Sequence, residues 1–91
     1  MADYKLSENA KEDLIRIHQY GVAQFGVKQA DRYFNNFFDC FDLIASNPFS
    51  FEAVDYIRTG YRRCPVGSDT IYFKLNEGHV EIMAIVGHQD F

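Results

Sequence analysis

The chain has 91 residues, of which 47% are hydrophobic and 16% aromatic, and its formal net charge is −4. This length indicates one small domain spanning residues 1–91, and the composition excludes a disordered chain. No apolar run approaches the roughly 20 residues that a membrane helix needs, and the first residues lack the apolar segment of a signal peptide. We therefore expect a cytoplasmic protein without membrane contact.

The charge distribution argues against a nucleic-acid-binding face. Residues 1–55 carry five Lys or Arg against nine Asp or Glu, and residues 56–91 carry four of each. Binding to nucleic acid depends on neutralising phosphates with Lys and Arg. We therefore expect no direct binding to DNA or RNA, although Arg58, Arg62 and Arg63 form a local basic cluster.

Metal, cofactor and disulfide chemistry are not indicated. Cys40 and Cys64 lie in no CxxC motif, and we expect two reduced thiols in or near the core. His18 and His79 show no paired ligand spacing, which predicts no metal site. Nothing in the sequence calls for a cofactor.

A short first strand over residues 3–6 precedes a first helix over residues 7–25. Ser7 is predicted to be the N-cap of this helix, and Gly26 is predicted to end it. Gly21 lies on the apolar stripe, where it would permit close approach of another element. The stripe recurs at helical spacing and consists of Ala10, Leu14, Ile17, Gly21 and Phe25.

A second helix is predicted over residues 27–46, ended by Asn47-Pro48. Its main stripe is Ala30, Phe34, Phe37, Phe41 and Ile44. Neighbouring apolar side chains widen that face to roughly 160°, more than the ~100° that packing on one neighbour requires. We therefore expect this helix to contact both the first helix, as an antiparallel hairpin, and a sheet.

The remaining residues predict strands. A Phe-rich loop over residues 48–54 is followed by a brief extended lead-in over 55–58. Three strands are then predicted, at 61–65, 70–75 and 80–86. Turns at 67–68 and 76–78 connect them. Alternation places Val80, Ile82, Ala84 and Val86 on one face of the last strand and Glu81, Met83 and Ile85 on the other. The order β-α-α-β-β-β predicts an α+β domain in which the helical hairpin packs on one face of an antiparallel sheet.

Four local motifs occur in order along the chain: YKLS with AKEDL (4–14), RTGYRR (58–63), GSDTIYF (67–73) and VEI through VGHQ (80–89). Together with the layout, they resemble the ParE/RelE toxin superfamily, and the GSDTIYF hairpin resembles its ParE branch. The resemblance implies the toxin of a type II toxin–antitoxin system that inhibits DNA gyrase by direct binding, is neutralised by a cognate antitoxin, and has no catalytic centre. Two alternatives are a ribosome-dependent mRNA endonuclease of RelE type and a non-toxic member that only assembles with its antitoxin.

The residues favour binding over RNA cleavage. RelE-like nucleases commonly carry an Arg after the hairpin glycine, where this chain has Ser68-Asp69, and a second basic residue after the last strand, where it has Gly87-His88. His88 is more readily a locally hydrogen-bonded strand-end histidine than a general acid or base. We therefore predict no catalytic residue.

Partner binding is expected at apolar positions off the main helix stripes and at the arginines, because both residue types mark interfaces. In a strand, Arg62 and Arg63 face opposite sides, so the two cannot serve one site. The resemblance implies an amphipathic antitoxin helix in an apolar groove and an added edge strand. The candidate partner-binding residues are Ile15, Val22, Phe49, Phe51, Arg58, Tyr61, Arg62, Arg63 and His88.

Overall fold

A computed structural model describes residues 3–87 of the chain. Its elements are β1 (Tyr4–Leu6), α1 (Glu8–Phe25), α2 (Val27–Ser46), a 3-10 turn (Pro48–Ser50), β2 (Glu52–Ala53), β3 (Tyr61–Val66), β4 (Asp69–Asn76) and β5 (His79–Gly87). One sheet has the strand order β1-β5-β4-β3-β2, with β1 parallel to β5 and the other pairs antiparallel. The α1–α2 hairpin covers one face of the sheet, which confirms the predicted α+β fold.

Local signals in the sequence determine the hairpin. Ser7 caps α1, with its Oγ accepting a hydrogen bond from the Ala10 N–H at 3.0 Å. Gly26, at φ 90°, ends α1, and α2 begins at the next residue. A Cβ at Gly21 would lie only 3.2 Å from Ala30 Cβ, which confirms that this glycine allows the two helices to approach closely. Within the described residues, neither helix is long and apolar enough to cross a membrane.

The core lies between the hairpin and the sheet. Phe37, Phe41 and Ile44 of α2 are fully buried, so this helix contacts both α1 and the sheet, as its broad apolar arc predicts. Burying side chains of this size contributes roughly 1.5–3 kcal/mol each. The sheet supplies Cys64, Val66, Ile71, Phe73, Val80, Ile82 and Ile85 to the same cluster.

A β-bulge in β5 corrects the predicted alternation. Tyr72 pairs with Ala84 and Phe73 pairs with Ile82, which leaves Met83 as an extra residue. Beyond the bulge the faces exchange, so Ile85 points to the core, and Ala84 no longer shares the face of Ile82. The prediction that Ala84 and Val86 share a face with Val80 and Ile82 was therefore wrong.

The N-cap of α1 and one side chain of the helix itself satisfy the backbone around this bulge. Ser7 Oγ donates a hydrogen bond to the Met83 carbonyl at 2.9 Å, and the Asp13 carboxylate accepts one from the Ile85 N–H at 2.9 Å. Because buried backbone polar groups are costly when unpaired, these bonds fix the start of α1 over the bulge.

The predicted lead-in at residues 55–58 is a turn and not extended. The N–H groups of Ile57 and Arg58 both donate to the Val54 carbonyl, and the Gly60 N–H donates to Asp55 Oδ1 at 2.7 Å. The short strand lies earlier, at β2, where it pairs with Arg62 and Arg63. The Asp55 side chain closes the loop, which is an aspartate role typical of turns.

We expect Gly67→Ala to destabilise the protein more than Gly78→Ala. Both glycines have positive φ, but a Cβ at Gly67 would lie 2.8 Å from the Tyr33 ring and hydroxyl, whereas Gly78 has open space. Placing an alanine at positive φ lowers the free energy of unfolding of both variants by about 1–2 kcal/mol. The clash with Tyr33 lowers that of Gly67→Ala by roughly 1–3 kcal/mol more. Urea unfolding of both variants measures the difference, and equal losses would contradict the tight contact with Tyr33.

Candidate functional site

A cleft of about 650 Å³ opens between the two helices and the β3–β4 turn. The backbone of α1 and α2 approaches closely at its floor, where Gly21 meets Ala30. Aromatic and polar side chains form the rest of the wall. The lining residues are Arg16, Ile17, Tyr20, Gly21, Phe25, Gln29, Ala30, Arg32, Tyr33, Asn36, Ser68 and Asp69.

Two aromatic side chains at the cleft are exposed to solvent. Tyr20 is 51% exposed and Phe25 is 61% exposed. Phe25 lies at the end of the apolar stripe predicted for α1, but it does not join the buried core. Its neighbour across the hairpin turn, Val27, is also exposed.

A hydrogen-bond network closes the base of the cleft. The Tyr33 hydroxyl lies 2.6 Å from Asp69 Oδ2 and 2.8 Å from the Val66 carbonyl oxygen, and these two acceptors share its single proton. Asp69 is only 5% exposed. Burial, and then the hydrogen bond to Asp69, raise the pKa of Tyr33 to about 12. The β3–β4 turn is therefore held to α2 by a neutral tyrosine and a buried carboxylate.

A second surface lies at the β2–β3 end of the sheet, and we name it the arginine–aromatic corner. It comprises Phe49, Tyr56, Arg58, Tyr61 and Arg62, whereas Arg63 lies on the opposite face of β3. Phe49 and Tyr56 are more than 70% exposed. The Arg62 guanidinium lies 5.0 Å from the Phe49 ring centroid, and that of Arg58 lies 5.7 Å from the Tyr61 centroid. Such contacts orient the cations on aromatic rings.

The three arginines have different partners. Arg62 also donates to the Phe51 carbonyl at 2.7 Å, whereas Arg63 Nε donates to Glu52 Oε1 at 2.8 Å. Their different partners agree with the predicted alternation along β3. Arg58 forms no ion pair with a carboxylate of residues 3–87. Arg62 forms none either, but its guanidinium is already bound to the Phe51 carbonyl, so the exposed Arg58 is the charge more open to an incoming acidic group.

The other predicted binding residues do not form one groove with the corner. The Phe51 ring packs edge-on against Phe73 at 5.9 Å and belongs to the margin of the core. Ile15 is exposed on the outer side of the hairpin, beside His18 and Phe34. Val22 follows it two helical turns later on the same side and is half-buried. His88 lies outside the described residues.

Sequence reasoning missed the cleft. Its residues come from three separate segments, and several of them were assigned to the core stripe of α1 or left without a role. One available signal was the pairing of Tyr20 with Phe25 at the end of a helix followed directly by another helix. In the described part of the chain, no group of three His, Cys, Asp or Glu side chains could hold a metal ion.

Comparison with known proteins agrees with this fold. The family model for the ParE toxin of type II toxin–antitoxin systems, parDE, matches residues 4–90. The chain belongs to this ParE toxin family.

Individual proteins similar to this chain are also ParE toxins or have a similar fold. The chain is 35% identical over 89 residues to "Toxin ParE1" of Caulobacter vibrioides, covering 98% of this chain and 91% of that protein. It is 33% identical over 87 residues to "Toxin ParE1" of Mycobacterium tuberculosis, covering 94% and 88%. The fold is similar to that of a chain in the chromosomal ParDE toxin–antitoxin system of P. aeruginosa, with a TM-score of 0.84, 16% identity and 96% of each chain covered.

We expect Tyr33→Phe to lower stability at neutral pH by about 1–3 kcal/mol, because it leaves the buried Asp69 carboxylate without its donor. Folding raises the pKa of Tyr33 from 10.0 to about 12. The contribution of Tyr33 is thus complete below pH 10 and is lost as the pH rises from 10 towards 12.

Urea unfolding of the wild type and Tyr33→Phe between pH 8 and 11.5 tests this. The stability advantage of the wild type should shrink above pH 10. An advantage that stays constant across this range would show that the hydroxyl proton is not shared with Asp69.

Proposed function

We propose that this ParE toxin inhibits DNA gyrase by direct binding in the cytoplasm, without catalysis, and that a cognate antitoxin neutralises it. Membership of the ParE family supports the toxin role. The observation that carries the choice of binding over RNA cleavage is the burial of Asp69. In the hairpin turn, where a RelE-type nuclease presents a basic side chain, this chain holds a carboxylate that is 5% exposed and bonded to Tyr33.

The chemistry of that turn is unsuited to phosphate. RNA cleavage requires groups that stabilise the developing charge of the phosphorane. A buried carboxylate locked by a tyrosine hydroxyl supplies negative charge in place of a cation. The hydrogen bond from Tyr33 of α2 gives Asp69 a structural role in the fold.

We assign the cleft to the antitoxin. An amphipathic helix binds through apolar side chains spaced over two turns, and it needs an open groove with an apolar floor and a polar rim. The cleft offers Ile17, Gly21 and Ala30 beneath exposed Tyr20 and Phe25. Arg32, Gln29, Asn36 and Ser68 are the polar side chains at its margin.

We assign the arginine–aromatic corner to gyrase. Exposed aromatic rings beside arginines are the composition enriched in the centres of protein interfaces. Arg58, which is without a carboxylate partner in the described residues, is suited to an acidic group on gyrase. The corner and the cleft share no residue, so the two activities should separate by mutation.

The primary test is a supercoiling assay with purified DNA gyrase, relaxed plasmid and ATP. We expect the wild-type toxin to block supercoiling and the double variant Phe49→Ala/Arg58→Ala to lose at least about tenfold in potency. Lys28→Ala, which removes one positive charge from exposed α2, should inhibit normally. Absence of inhibition at excess wild-type toxin would refute the gyrase proposal, and cleavage of mRNA in a translating extract would favour the nuclease.

A second test addresses the cleft. The cognate antitoxin, to be identified first among the products of the neighbouring reading frames, is the ligand in a binding titration. Tyr20→Ser/Phe25→Ser should weaken binding by about tenfold or more, while supercoiling inhibition is retained. Ile15→Ser removes an exposed apolar group from the outer side of the same helix and should bind normally. Loss of binding in the Ile15 variant alone would move the antitoxin to the outer side of the hairpin.

A further inference from the structure

The cleft between the two helices and the β3–β4 turn carries positive charge on its rim. Arg16 and Arg32 both line it and are exposed, although the formal net charge of the chain is −4. Among the described residues that line the cleft, the only carboxylate is that of Asp69, which is 5% exposed and hydrogen-bonded to Tyr33. The rim therefore presents cations to an incoming partner, while the negative charge is buried at the base.

The two arginines differ in their partners. Arg16 donates hydrogen bonds to Asp13 Oδ1 at 3.3 Å and to the Ile85 carbonyl at 3.4 Å. Arg32 forms no ion pair with a carboxylate of residues 3–87. Because an arginine guanidinium has five donors and no acceptor, its strongest complement is a carboxylate. Arg32 is therefore the cation of the cleft that is best suited to an acidic group on a partner.

The close contact between Gly21 and Ala30 gives the positions of the other side chains along the cleft. Phe25 lies four residues from Gly21 towards the hairpin turn, which is roughly 6 Å along the helix axis. Arg32 lies two residues beyond Ala30 in the opposite direction, which is roughly 3 Å. The cleft therefore has an aromatic end at the turn and a cationic position roughly 9 Å further along.

We propose that Arg32 is a specificity-determining residue of the cleft, and that the partner helix bound there pairs an acidic side chain with it. The apolar side chains of that helix contact Phe25 and Tyr20. This inference rests on the proposed assignment of the cleft to the antitoxin, and it adds the chemistry by which the cleft selects its partner.

The distance along the cleft predicts a sequence pattern in the partner. A helix rises about 1.5 Å per residue, so roughly 9 Å corresponds to about six residues, and the same face recurs at the seventh. One apolar residue against Phe25 and a second one helical turn later, beside Tyr20, are thus followed by the acidic residue about three positions further on. The length of the Arg32 side chain accommodates the remaining difference of about one residue.

Two synthetic peptides test this recognition in titrations with the full-length protein. Each is an alanine-rich helix of about 20 residues with two leucines one turn apart. In the first peptide, a glutamate lies about three residues outside each leucine, so the pattern is present in either chain direction. In the second, glutamines replace the two glutamates. We expect the wild type to bind the glutamate peptide roughly threefold to tenfold more tightly, and added salt to reduce the difference.

Variants of the protein assign the preference to Arg32. Arg32→Gln should bind the two peptides equally, and Arg32→Glu should bind the glutamine peptide more tightly, because its carboxylate repels the glutamates. Lys28→Gln is the matched control. It removes one positive charge from an exposed position of α2 that does not line the cleft, and it should keep the preference of the wild type.

The outcomes separate this inference from the assignment of the cleft. If both peptides bind the wild type equally and Tyr20→Ser/Phe25→Ser weakens both, the cleft accepts an apolar helix and the role of Arg32 is refuted. A preference that persists in Arg32→Gln would also refute it. If neither peptide binds, or if Tyr20→Ser/Phe25→Ser leaves binding unchanged, the assignment of the cleft to a helix is itself overturned.

Discussion

The bulge at Met83 is the constraint on which the arrangement of the two layers depends. Without the extra residue, Ile82 and Ile85 would lie on opposite faces of β5, and only one of them could reach the helices. The bulge directs both into the core and exposes backbone groups that α1 then satisfies through Ser7 and Asp13. The bulge in β5 and the packing of α1 on the sheet therefore stabilise each other.

This docking positions the surfaces that we assign to partners. Because the start of α1 is fixed over β5, the other end of the hairpin extends to the region of the β3–β4 turn, where Tyr33 joins α2 to Asp69. The cleft is the space left between these elements. At the opposite side of the sheet, β2 pairs with only two residues of β3, and the loop beyond it presents exposed rings beside arginines. The core thus supports two separate surfaces, and its residues Ile17 and Ala30 also form part of the floor of the cleft.

Most of the fold could be predicted because it depends on local signals. The cap at Ser7, the stop at Gly26, the apolar stripes of both helices and the turns at 67–68 and 76–78 act over a few residues, and each element formed where it was expected. The failures were non-local. Alternation along β5 could not reveal a bulge that is stabilised by α1, and the residues of the lead-in formed a turn because Asp55 reaches Gly60. Phe25 fits the apolar stripe by spacing, but it is exposed in the lining of the cleft.

The sequence by itself determined the family, the order of elements and the residue types available for binding, because these follow from periodicity, turn chemistry and motifs in the chain. Tertiary structure alone decided which of those residues meet. It separated Ile15 and Val22 from the arginine–aromatic corner and assembled the cleft from three segments. The reason is physical: contacts between layers depend on how helices seat on a twisted, bulged sheet, and that seating is set by packing of the whole core, which no short stretch of sequence encodes.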